Sequence, residues 1–142
     1  MPVLWAAFHS TRLVTITFKG VICRQDIDAC TDGIMTPATL SYRKLVDLRQ
    51  GSLALSPDDI AALAEHAREY GRSGVMGALA IVARPDEHGP QALLFEALSL
   101  AADRPLKVFR DLQAARDWLD AVPSSVPAWQ MARGVDPAPL VG

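Results

Sequence analysis

The sequence predicts an α/β domain: a mixed β-sheet opened by an N-terminal β-hairpin, with about four helices. Three observations lead there. Two β-rich runs near the start are joined by only four polar residues, the spacing of a hairpin. Strand and helix patterns then alternate to residue 121, as in sheets completed by right-handed crossovers. Between them lies Val75–Ala83, an almost unbroken apolar run that suits a central strand covered on both faces.

Val3–Phe8 and Leu13–Lys19 carry β-branched and aromatic residues, and across the second run Leu13, Thr15 and Thr17 alternate with Val14, Ile16 and Phe18. His9-Ser10-Thr11-Arg12 supplies the loop, and Gly20 is expected to close the second strand. From Arg24, the spacing of Ile27, Cys30 and Ile34 makes one apolar helical face that runs until Pro37 stops it. A short strand, Lys44–Leu48, is expected to turn at Gln50-Gly51-Ser52.

The next helix has the clearest start signal in the chain. Ser56 is placed to cap it, Pro57 occupies a position where a missing amide hydrogen costs nothing, and Asp58 and Asp59 complement the positive end of the helix dipole. Ile60, Leu63, Ala64 and Ala67 form its buried stripe and Gly71 its expected end. After the strand Val75–Ala83 and the break at Arg84-Pro85-Asp86, a helix from about His88 to Ala102 places Leu94, Phe95, Leu98, Ala101 and Ala102 on a core stripe. Leu106–Phe109 is a last strand, and Asp111 caps a helix to Ala121 with Leu112, Ala115, Trp118 and Leu119 at helical spacing. Residues 1–122 are therefore expected to form one domain, and residues 123–142 a proline-rich tail holding Val126, Trp129, Met131, Leu140 and Val141.

A chain of 142 residues supports one core, and with half of its residues hydrophobic and 21% charged it has globular composition. The net charge is -2 and no basic run exceeds the pair Arg43-Lys44, which argues against nucleic acid as a partner. Apolar stretches are broken by charge before they reach membrane-spanning length, and the N-terminus lacks the pattern of a secretory signal, so a cytoplasmic protein without a transmembrane segment is expected. Cys23 and Cys30 form no C-x-x-C unit and read as small buried hydrophobes; His9, His66 and His88 fall in three separate segments. No metal or cofactor site is expected from these residues.

The element order with its hairpin start, and the closing run Val108-Phe109-Arg110-Asp111-Leu112, Ala115 and Trp118-Leu119, resemble the STAS family of SpoIIAA-like, anti-sigma-factor-antagonist-like proteins. The resemblance spans about residues 3 to 121 and implies a STAS-like fold. In that family a strand ending in Asp-Leu leads to a loop whose serine, at the next helix start, is phosphorylated by a partner kinase. Asp47-Leu48 matches the strand end, but Asp58 stands where the modified serine would be and Asp59 where its glycine would be. The resemblance thus implies a regulatory or protein-interaction module lacking that phosphate acceptor, with Asp47, Ser52, Ser56 and Asp58 as the candidate partner or ligand loop. It also implies, as an alternative, a binder or carrier of a small apolar, lipid-like ligand.

Catalytic signatures are absent. Gly71, Gly74 and Gly77 follow a helix and precede a strand, the reverse of a phosphate-binding turn, and no G-x-S-x-G run occurs. Glu65, His66 and Glu69 share one helix at the spacing of a solvated charged face. The expectation is a protein without catalytic residues, a hydrolase or transferase using Asp47, Ser52 or Ser56 being the competing reading. Leu93, Ala97 and Leu100 lie off the core stripe of their helix and are candidates for a dimer contact or an apolar-ligand surface.

Overall fold

In the computed structural model, residues 3–84, 90–101 and 104–122 are described. The sequence readings at His88, at Ala102 and over residues 123–142 lie outside them. Nine elements follow the expected order. β1 (Val3–Phe8) and β2 (Leu13–Ile22) form the antiparallel hairpin, with Leu4 opposite Thr17 and Phe8 opposite Leu13. α1 (Arg24–Ile34), β3 (Arg43–Leu53), α2 (Pro57–Ser73), β4 (Leu79–Val82), α3 (Pro90–Ala101), β5 (Leu106–Phe109) and α4 (Leu112–Ala121) complete the domain.

The strands lie in the sheet in chain order, β1-β2-β3-β4-β5, and every pair after the hairpin is parallel. Right-handed crossovers that step repeatedly in one direction place all of their helices on one face. The packing agrees. Cys30 and Ile34 of α1, Ile60 and Leu63 of α2 and Leu94 of α3 share one buried cluster with Ile16, Leu48 and Ile81 of the sheet. The last helix has no further strand to reach and covers the opposite face, where Ala115 and Leu119 pack on Leu45, Ala80 and Val82.

Several local expectations give way to long-range pairing. β2 continues through Gly20, which takes a left-handed φ of 75°, because Gly20, Val21 and Ile22 pair with Gly51, Ser52 and Leu53. For the same reason Gln50-Gly51-Ser52 is strand and not turn. The pairing slips between Thr17 and Lys19, which oppose Asp47 and Gln50, so β3 carries one extra residue there. Such a bulge shifts the alternation of inward and outward side chains beyond it. Lys44, Val46 and Leu48 before it and Leu53 after it accordingly face the same cavity.

α1 stops at Ile34, short of Pro37, in a turn held by the Thr36 and Thr39 hydroxyls at 2.7 Å. α2 runs past Gly71 to Ser73, since one helical glycine costs only about 1 kcal/mol and Gly74 ends the helix instead. β4 is shorter than its apolar run because its partner β5 offers only four residues; Met76, Ala78 and Ala83 are buried without being strand. Cys23 is exposed at the start of α1, where the Asp26 carboxylate accepts from its backbone N–H, and only Cys30 is buried.

Gly77 marks a close backbone approach. Its N–H donates to the Leu40 carbonyl at 3.1 Å, and a Cβ at this position would run into the backbone of Ser41 and Tyr42. Gly77→Ala is expected to lower stability by about 1–3 kcal/mol, the usual cost of overpacking. Urea unfolding of the two proteins side by side measures it, and equal midpoints would show that the two segments can part without penalty.

Candidate functional site

Between the sheet and the three crossover helices lies a cavity of about 130 Å³. Ile16 and Phe18 of β2, Val46, Leu48 and Leu53 of β3, and Leu79 and Ile81 of β4 form its floor. Ile34, Leu63, Leu94, Phe95 and Leu98 close it from the helices. Close-packed interiors hold few voids larger than a water molecule. An apolar cavity of roughly 150 Å³ is large enough to take up benzene and stays dry without it. This one belongs to that size class.

Six ionisable side chains line it, among them Lys44, the most deeply buried polar residue of the described chain at 1% exposure. Its Nζ donates to the carbonyls of Thr39 and Leu40 at 3.0 Å and of Tyr42 at 2.9 Å. Burial and, second, the nearby Arg104 guanidinium push its pKa from the ordinary 10.5 down to about 7. Three carbonyl acceptors work the other way, because only the ammonium has three protons to donate.

Arg104 differs from Lys44 in having no partner. Its Nε and Nη1 are sealed from solvent and meet no hydrogen-bond acceptor. Burial lowers its pKa to about 10, which leaves the guanidinium charged at neutral pH. The carbonyl of the next residue, Pro105, accepts from Leu79 N–H at 2.9 Å where β4 meets β5.

On the α1–α2 side, Asp28 Oδ1 is buried 3.3 Å from His66 Nδ1, outside hydrogen-bond geometry, while its other oxygen takes Arg24 Nε at 3.3 Å. Tyr70 donates to Asp32 at 3.1 Å and closes the polar rim. The Cys30 thiol faces the cavity with its pKa pushed up to about 11 by burial, so it is a protonated, inert wall group. The lining Thr31 hydroxyl is occupied by the Ile27 carbonyl at 2.7 Å.

The residues singled out from sequence stand elsewhere. Asp47 lies across the sheet from the cavity, beneath α4, and forms a two-point pair with Arg49 at 3.0 and 2.9 Å that holds its carboxyl below the usual range. Ser52 is exposed on β3. The Ser56 hydroxyl accepts from Asp59 N–H at 3.1 Å and the Asp59 carboxylate accepts from Ser56 N–H at 3.0 Å, a reciprocal cap, while Asp58 is exposed. No hydrogen bond or ion pair joins any two of Asp47, Ser52, Ser56 and Asp58. Leu93, Ala97 and Leu100 border a shallow groove with Pro57, Ile60 and Glu96, Leu93 being 54% and Leu100 79% exposed.

Among the described residues, no group of three or more His, Cys, Asp or Glu side chains could hold a metal ion, and no helix is long and apolar enough to cross a membrane. His9 instead meets the Tyr42 hydroxyl at 2.8 Å. Sequence reasoning missed Lys44 and Arg104. The first reads as half of a surface basic pair, and the second stands alone before a proline without any motif.

The overall fold has a counterpart among solved structures. The chain is similar to an uncharacterised protein of the DUF3478 family with a SpoIIAA-like fold, from Shewanella loihica PV-4. The TM-score is 0.53 at 17% identity, over 82% of this chain and 93% of that one. The fold is SpoIIAA-like. No family model matches the sequence, and neither does any curated protein. The expected STAS-like architecture is thus present.

The lowered pKa of Lys44 has a measurable consequence. Between about pH 7 and 10.5 the unfolded chain keeps this proton and the folded chain releases it. Stability therefore rises with pH through that window, by at most about 1.4 kcal/mol per unit. Urea titrations of wild type and Lys44→Met at intervals from about pH 6 to 9 isolate the effect. The difference between them should move in favour of wild type as pH rises; a constant difference would mean that the three carbonyls hold the proton throughout.

Proposed function

We propose that this chain is a non-catalytic binding module that takes a small apolar molecule into the cavity between its sheet and crossover helices. The observation that carries this reading is the cavity itself: a void of about 130 Å³ walled mainly by Ile, Leu, Val and Phe, in a class of structure that normally fills such space with side chains. The lack of a catalytic role is supported by the state of the lining groups. The one cysteine is protonated, the threonine hydroxyl is engaged, and the Lys44 donors are all spent.

Ligand that binds only the folded state raises the unfolding midpoint. Benzene at millimolar concentration should therefore raise the midpoint of the wild type and leave Ala67→Leu, whose added methyl groups occupy the cavity, unmoved. An unmoved wild type would sink the proposal.

A second reading, a protein-interaction module that pairs with another copy of itself through α3, is supported by the exposed Leu93 and Leu100 beside the α2–α3 groove. Sedimentation at tens of micromolar should then give a dimer for wild type and a monomer for Leu93→Glu/Leu100→Glu. A monomeric wild type would remove this reading and leave the first intact.

A further inference from the structure

The cavity is not uniformly apolar, and the exception has a chemical meaning. We propose that it selects small amphiphiles with an anionic end, of which a carboxylate on a chain of about six carbons fits the space, and that Arg104 is the residue that binds that end. The proposal rests on the cavity being a ligand site and adds the class of ligand.

Of the other arginines with described contacts, Arg12 lies over the Tyr42 ring, and the rest have found acceptors, although Arg43 Nε is sealed without one. Arg43 donates to the Leu119 and Thr11 carbonyls, Arg49 grips Asp47, Arg24 reaches Asp28, and Arg68 and Arg72 pair with Glu65. Arg104, half-buried as a residue, alone combines two sealed guanidinium nitrogens, Nε and Nη1, that have no acceptor with a place in the lining of an apolar cavity. Two guanidinium nitrogens sealed from solvent without an acceptor are a costly arrangement, and buried polar atoms without partners are rare enough in folded proteins to require a reason.

Lys44 cannot relieve it, since its Nζ is turned to three carbonyls and a lysine carries no negative charge, and no described carboxylate pairs with Arg104. A carboxylate entering the cavity supplies the missing acceptor and the missing charge together, through charge-assisted hydrogen bonds. An alcohol supplies an acceptor without charge, and a hydrocarbon supplies neither. The apolar walls take the chain, so a head group lacking a tail forgoes most of the contact. The burial that lowers the Arg104 pKa to about 10 still leaves it cationic at neutral pH, the state this recognition needs.

Calorimetric titration of the full chain with hexanoate, 1-hexanol and acetate separates these terms. Wild type should bind hexanoate at least tenfold more tightly than 1-hexanol and bind acetate at least tenfold more weakly than hexanoate. Arg104→Met, which keeps the apolar stem, should lose the preference for hexanoate while holding 1-hexanol within about threefold of wild type. Arg104→Lys, which keeps the charge, should retain part of that preference and serves if the methionine variant does not fold. Equal affinities of wild type for hexanoate and 1-hexanol would overturn the anion proposal and leave the apolar cavity standing. Failure of the wild type to bind any of the three would overturn both.

Discussion

The grip of Lys44 on three main-chain carbonyls organises the centre of this domain. The segment between α1 and β3 has no regular structure with which to satisfy its own backbone, yet Thr39, Leu40 and Tyr42 are all buried. By presenting one donor to each carbonyl, Lys44 draws the segment against the end of the sheet and satisfies it there. Another feature depends on that placement. The Leu40 carbonyl also takes the Gly77 amide, which brings β4 into line. A lysine is thus held where an apolar residue would have left three acceptors unmatched.

The residue before it does complementary work on the other side of β3. Neighbouring residues of a strand point to opposite faces, so Arg43 faces α4, where Nη1 donates to the Leu119 carbonyl at 2.8 Å and Nη2 to the Thr11 carbonyl of the hairpin loop. One dipeptide therefore ties the hairpin to the last helix on one face and the α1–β3 connection to the core on the other. The asymmetry of the fold follows the same division. Three helices and the cavity lie on the Lys44 face, and a single helix covers the Arg43 face.

Features that depend on near neighbours were legible in the sequence, and α2 shows why. Its reciprocal cap at Ser56 and Asp59 and its stripe Ile60, Leu63, Ala64 and Ala67 follow from residues within one or two turns of each other. Element order and the hairpin were legible for the same reason. Gly20, Gly51 and Ser52 carry turn chemistry but lie in strand, because each of β2 and β3 offers the other a full row of partners and the ladder outweighs local preference. Cys23 was read as buried from its residue type, whereas its position before an exposed helix start decides the matter. Of the site little was legible. Its walls come from six elements and the turns between them, its key lysine resembles surface charge, and Arg104 gains meaning only once its surroundings show no acceptor.

The strand order carries a consequence for how the chain reaches this state. Each strand lies beside its predecessor in sequence, so no strand must wait for one made much later before it finds an edge to join. Contacts of low sequence separation favour fast folding, and domains form from the N-terminal end as synthesis proceeds. The hairpin offers the first edge, each crossover helix then delivers one strand to the growing side, and α4, arriving last, seals the face that the others have left open. Assembly by successive addition suits a domain whose interior keeps a space unfilled, because no late insertion through the core is needed to complete it.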